Sequence, residues 1–167
     1  MKKIIAILAF IAICSSAIAS PSSIIFEEVG EIGESKYEFI HRIGPKMRAW
    51  SDTSRHEACA AIASDGQRFG AVVTSSGSHI ACETFHRNVP SGMSSTGETI
   101  HTHGTDELIR ANMADRRIAG IGLGERIYGQ HLDKFSPTDY QEAGYLASPN
   151  GKIFYQNGRG TQREISP

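Results

Sequence analysis

The stretch ETIHTHGTDE, residues 98–107, sets His101 and His103 two positions apart, behind the apolar Ile100 and ahead of Gly104. Residues i and i+2 share one face of an extended strand, so a strand ending here would aim both imidazoles at one point. A surface turn would leave them as two unrelated polar groups. Two imidazoles are too few for zinc in either case. A structural site takes four protein ligands and a catalytic site takes three plus water, so another segment must supply the rest.

Working outward, the flanking sequence favours the strand reading. Upstream, residues 57–85 read EACAAIASDGQRFGAVVTSSGSHIACETF, in which Asp65-Gly66 is a hairpin turn pair and 68–74 is rich in β-formers. The alanines at 58, 60 and 61 would also suit a short helix capped by Ser54. A third strand is expected over 79–85, followed by a loop through 90–97. Farther upstream, residues 36–50 place Phe39, Ile40, Ile43, Met47 and Trp50 close to a helical stripe, and Gly44-Pro45 predicts a break in that helix. Residues 20–35 read as a polar lead-in.

Downstream, TDELIRANMADRR (105–117) has acids early and arginines late, which suits a helix dipole. IAGIGLGERIYG (118–129) reads as loop, and its glycines lack the Gly-Lys-Ser/Thr of a phosphate loop. Ser136-Pro137-Thr138-Asp139 predicts a helix start with Ser136 as N-cap, Pro137 at the first helical position, and an end near Gly144. Residues 145–147 and 152–155 then flank Asn150-Gly151, a strong hairpin signal. The fold class is α/β in the α+β sense, with an antiparallel-rich mixed sheet flanked by helices.

The first nineteen residues, MKKIIAILAFIAICSSAIA, run from two lysines through an apolar core to Ala17-Ile18-Ala19. That order is a secretory signal peptide, with an apolar run too short to span a membrane. Ile13 before Cys14 departs from the small residue usual in lipoprotein signals. The expected product is exported, periplasmic or secreted, with a single domain over 36–167 and no transmembrane span. Export leaves two cysteines, Cys59 and Cys82, and an oxidising compartment favours a bridge between them, with two buried thiols as the alternative. The full chain carries a formal charge of −1, and removing Lys2 and Lys3 makes it more acidic. Dispersed lysines and arginines give no sign of a nucleic-acid partner.

The order Glu57, then His101-Thr102-His103, then Ser136-Pro137-Thr138-Asp139 resembles the JAMM motif of the JAB/MPN metallopeptidase family. GYLASPNGKIFYQNG (144–158) is similar to the strand-hairpin end of bacterial JAB-like domains. The resemblance implies an MPN/JAB-like fold with a cytidine-deaminase-like layout. It further implies one Zn²⁺ held by His101, His103 and Asp139 with a position left for water, Glu57 taking a proton from that water, and Ser136 donating to the oxyanion. A zinc hydrolase cutting a peptide or isopeptide bond would follow, with a peptide or protein substrate such as envelope peptides. Two departures stand out: Gly104 replaces the common proline after the second histidine, and 104–135 reads as an insertion where the family has a much shorter gap. A long segment beside a metal would suit a lid or substrate-selecting flap.

The residue types make sense chemically. Two imidazoles and one carboxylate leave a zinc site net positive, and a separate carboxylate can move a proton to the leaving amine. Each also has a plainer reading. Glu57 lies three after Ser54, as in a capping box, and Ser136 and Asp139 could be cap and first-turn acid alone. His86, His131 or Glu107 could replace Asp139 as third ligand, whereas His41 and His56 show no usable pattern. A binding or scaffold module of the same fold, or a secreted effector or toxin domain, remains open from sequence.

Overall fold

The computed structural model describes residues 22–104, 107–129 and 132–166. The segment expected to be a signal peptide, and His131, lie outside them. Among the described residues no helix is long and apolar enough to cross a membrane.

Helix α1 (Lys36–Ser54) is built by its stripe. Phe39, Ile40, Ile43, Gly44, Met47, Arg48 and Ser51 are its buried residues, a three- and four-residue spacing that draws one continuous face. Ser35 and Glu38 form a reciprocal capping box at its start, and Arg55 closes it in the left-handed region at φ 64°. The expected break at Gly44-Pro45 does not occur. Pro45 sits on the exposed side, where its missing N–H leaves no buried carbonyl stranded. Gly44 has its own reason to be there, because a Cβ would lie 2.6 Å from Ile153 Cδ1.

Strands β1 (Ser23–Val29), β2 (Cys59–Ser64), β3 (Phe69–Ser75), β4 (Ser94–Thr102), β7 (Gly144–Ala147), β8 (Ile153–Gln156) and β9 (Arg163–Ile165) make one sheet in the order β1-β3-β2-β4-β7-β8-β9. Every neighbour pair is antiparallel except β4–β7, which is parallel. The mixed, mostly antiparallel α/β reading therefore holds. Both expected hairpins form, at Asp65-Gly66 and Asn150-Gly151. The stripe of α1 packs against Ala58, Ala60, Ile62, Val73, Ile100 and Tyr145 from the sheet to make the core.

Two expectations fail, and one open alternative is decided. Residues 20–35 are not a bare lead-in: they contain β1, which takes the outer edge of β3. The expected strand over 79–85 does not form: β3 is already flanked by β1 and β2, and the segment runs as irregular chain. Ala60, Ala61 and Ala63 are strand, as the hairpin reading has them, and not helix, since β2 lies inside the sheet and is buried along its length.

The bridge between Cys59 and Cys82 is present, with Cα atoms 5.9 Å apart. It ties that irregular segment to the central strand. Closing a loop with a sequence separation of 23 stabilises by about 3 kcal/mol on the chain-entropy estimate. A Cys59→Ser/Cys82→Ser protein is therefore expected to unfold at lower urea by about that free energy. Equal midpoints for the two proteins would show that the bridge adds nothing.

Candidate metal centre

Strand pleating decides the outcome at residues 101–103. Thr102 turns inward, fully buried, with its hydroxyl 2.5 Å from Ser51 Oγ and accepting from the Ala58 amide at 2.9 Å. Its neighbours must then face the other way. His101 and His103 do so, with ring centroids 5.2 Å apart. Arg48 of α1 fastens the strand end from behind by donating to the carbonyls of His103 at 2.5 Å and Gly104 at 3.2 Å.

The third group arrives by the parallel joint. Pairing of Thr99 with Gly144 and Thr102 with Ala147 sets β7 beside β4, so the chain entering β7 passes over the histidines. Asp139 lies on that approach, with Oδ2 3.6 Å from His101 Nε2 and 3.9 Å from His103 Nε2. Ligand-type atoms of these three residues all fall within 4.8 Å of one another. The expected helix from Ser136 to Gly144 shrinks to one 3-10 turn, Asp139–Gln141. Ser136 is not its side-chain cap; instead its backbone N–H donates to Asp139 Oδ2 at 2.6 Å and so aims the carboxylate. Gln156, itself buried, holds the turn from below through the carbonyls of Asp139 and Glu142 at 2.8 and 2.6 Å.

Glu57 precedes β2 and is 7 % exposed. Its backbone is fixed on both sides: the amide donates to Ser78 O at 2.9 Å, and the carbonyl accepts from Ser75 Oγ at 2.7 Å. No capping box with Ser54 exists, because Ser54 ends α1 rather than starting a helix. Burial and the charge of Asp139 push the Glu57 carboxyl well above the usual range, against a hydrogen bond from the Gly104 amide and the pull of Arg48. Gly104 is itself sterically required, since a Cβ there would stand 2.2 Å from the His79 carbonyl oxygen.

The electrostatics divide the three ligand-type residues sensibly. Burial and the neighbouring His101 lower the His103 pKa, which keeps the imidazole neutral and able to coordinate, while a hydrogen bond to the Leu132 carbonyl holds the ring. Burial works to raise Asp139, but the two imidazoles and Ser136 hold it far below the carboxylate range, hence ionised. His101 Nε2 is buried without any hydrogen-bond partner among the described residues, and Phe135 packs edge-on against the ring at 5.8 Å.

Glu57, His101, His103, Ser136 and Asp139 line one cleft of about 670 Å³. Of the rival ligands, the two described ones are occupied elsewhere. His86 bonds Ser95 Oγ and Glu142 at 2.7 and 3.0 Å, and Glu107 pairs with Arg55 at 2.9 Å. No family model, curated protein or solved structure matches this chain.

Among the described residues of 104–135, Ile118 and Ala119 line the cleft, and the stretch departs from its expected helix-then-loop course. Strand β5 (Leu108–Arg110) comes first, then α2 (Met113–Ala119), then β6 (Arg126–Tyr128), which pairs with β5. The signal for this order was Asn112-x-x-Asp115, whose reciprocal capping box starts α2 eight residues later than the acids at 106 and 107 suggested. Asp115 is completely buried and accepts from Ser78 Oγ, the His79 amide, His79 Nδ1 and the Asn112 amide, all at 2.7–2.8 Å. Asn112 Nδ2 adds a bond to Gly77 O at 2.8 Å. These contacts dock α2 on the 76–79 turn, with Ile118 and Ala119 facing the cleft.

Proposed function

We propose that this chain is an exported zinc-dependent hydrolase of the JAB/MPN type that cuts a peptide or isopeptide bond. The observation that carries the reading is the convergence, in one cleft, of five residues from three separate segments in the roles their types suit. Zinc fits the donor set. Two imidazoles and one ionised carboxylate are within mutual reach, and the orphaned His101 Nε2 is a buried donor atom whose isolation a metal would relieve. Bound there, the ion would supply Lewis acidity and acidify water.

The chain's own residues do the remaining work. Glu57, buried and anchored at both backbone ends, is placed to accept a proton and return it to a leaving amine. Ser136 is exposed at the cleft and bonds Asp139 through its side chain as well as its backbone N–H; turned to substrate, that hydroxyl can donate to a carbonyl oxygen as negative charge develops. The wall formed by α2 narrows access from one side. Export and the disulfide suit substrates of the envelope or outside the cell, so crosslinked envelope peptides are the first class to screen.

The deciding measurement is metal content beside cleavage. Purified protein lacking residues 1–19 is expected to hold one zinc per chain, and His101→Ala and Asp139→Ala to hold none. Stoichiometric zinc in His101→Ala would overturn the assignment. Retention in Asp139→Ala alone would move the third ligand to Glu107, His86 or His131. Wild type should also cleave a member of an envelope-peptide and mixed-peptide panel, and chelator should stop it. Full zinc with no cleavage anywhere on the panel would favour a binding module of the same fold.

A further inference from the structure

The β5–β6 ribbon pairs Leu108 with Tyr128, Ile109 with Ile127, and Arg110 with Arg126. Paired residues share a face and successive pairs alternate, so Leu108, Tyr128, Arg110 and Arg126 all lie on one side. All four are exposed, Leu108 and Tyr128 at 56 and 60 %, while Ile109 on the other side is buried. Met113 and Leu123, also in this segment, are 64 and 57 % exposed.

That outer face is built against its own stability. Two large apolar side chains stand in water, and two guanidinium groups sit directly opposite each other, where like charges repel. Elsewhere most of the described cations have a partner: Lys36, Arg42, Lys46, Arg48, Arg68 and Lys152 each meet a carboxylate, and Arg87, Arg159 and Arg163 each stand over an aromatic ring. Among the described residues, none of Arg110, Arg116, Arg117 and Arg126 does; Arg110 and Arg117 reach only the carbonyls of Gly124 and Ser76. Cations dispersed along the sequence are thus gathered, unpaired, on the segment that walls the cleft.

We infer that the outer face of the β5–β6 ribbon is a docking surface for an acidic, apolar-containing polypeptide segment of a partner protein. Its charge fixes the sign of the occupant, and its spacing fixes the pattern. The apolar pair and the arginine pair are two residues apart, roughly 7 Å along a strand, so the matching segment carries an apolar side chain and a carboxylate at alternate positions of an extended chain. A short segment suits it better than a continuous polyanion. The chain as a whole is acidic, and Glu83 and Glu142 on the adjoining cleft rim would repel an extended anionic surface. This inference stands apart from the hydrolase reading and would survive its failure.

The test uses a fluorescein-labelled peptide alternating leucine and glutamate, with a leucine–lysine peptide, phosphatidylglycerol vesicles and duplex DNA as competitors for the same surface. Wild type is expected to bind the leucine–glutamate peptide, more weakly as salt rises, and Arg110→Glu/Arg126→Glu to bind it about tenfold less tightly. Leu108→Ser/Tyr128→Ser should lose a similar factor. Arg126→Glu alone should weaken binding while raising the melting temperature, because it converts the repelling pair into an ion pair; a merely damaged ribbon would lower both. The inference is overturned if wild type ignores the acidic peptide, if the double charge reversal binds it equally well, or if vesicles or DNA are bound in its place.

Discussion

Replacing Glu57 by glutamine is expected to leave a folded, zinc-loaded protein whose cleavage rate falls by about 10²–10⁴, the usual worth of a positioned proton-transfer group. Its backbone bonds to Ser78 and Ser75 do not involve the side chain, so neither anchor is disturbed. Glutamine fills the same volume and can still accept from the Gly104 amide, but it cannot take up a proton. Neutralising a buried carboxylate that already faces the Asp139 charge should if anything raise stability. Loss of rate with stability unchanged or higher is therefore the signature. Ser136→Ala should cost less, ~2.7–4 kcal/mol of transition-state stabilisation at most by analogy with other oxyanion donors. It should also cost some stability, since the Ser136 side chain as well as its backbone N–H bonds Asp139. A Glu57→Gln protein that cleaves at the wild-type rate would remove Glu57 from the chemistry.

Asp115→Ala is expected to destabilise the protein by about 3–5 kcal/mol in urea unfolding, because it strands four donors that now point at a buried carboxylate. Burial acts to raise the Asp115 pKa, but bonds from Asn112, Ser78 and His79 outweigh it and leave it lowered. A lowered pKa fixes the sign of the pH dependence. The contribution is fully present above the unfolded value of about 3.9 and is lost as pH falls through the lower folded value. Wild type and variant should consequently approach each other in stability under acid. Zinc content should survive, since no metal ligand lies on α2. A loss below about 0.5 kcal/mol at neutral pH would mean that α2 is not docked through Asp115.

The parts legible in sequence were those with a local cause. Asp65-Gly66 and Asn150-Gly151 announced their hairpins, and the strand reading of 98–103 followed from the need to put two histidines on one face. Other features depend on partners far along the chain. Nothing in SIIFEEV says that it will take the edge of β3, yet that choice denies a strand to 79–85. Gln156, holding the Asp139 turn, carries no local mark of its role. Ser136-Pro137-Thr138-Asp139 reads as a helix start, and the structure gives a single 3-10 turn instead. The parallel pairing that begins at Gly144 pulls the chain into β7 after one 3-10 turn. Asp115 and Ser35 were both written as capping boxes, and both were missed by weighing charge and apolar spacing above cap chemistry.

The single parallel joint, β4 to β7, also makes the three ligand-type residues depend on one long-range closure. β7 pairs with β4 only once the whole stretch from His103 to Ala143 has closed into a loop, an entropic cost met before any contact rewards it. His101 and His103 lie on one side of that closure and Asp139 on the other. An ion that prefers the completed set binds the closed form and not the open one, so its concentration enters the folding equilibrium directly, adding about 2.7 kcal/mol at a hundredfold excess over the dissociation constant. In a compartment poor in zinc, the crossover would spend more of its time open, and protease sensitivity between β4 and β7 would become a gauge of metal supply.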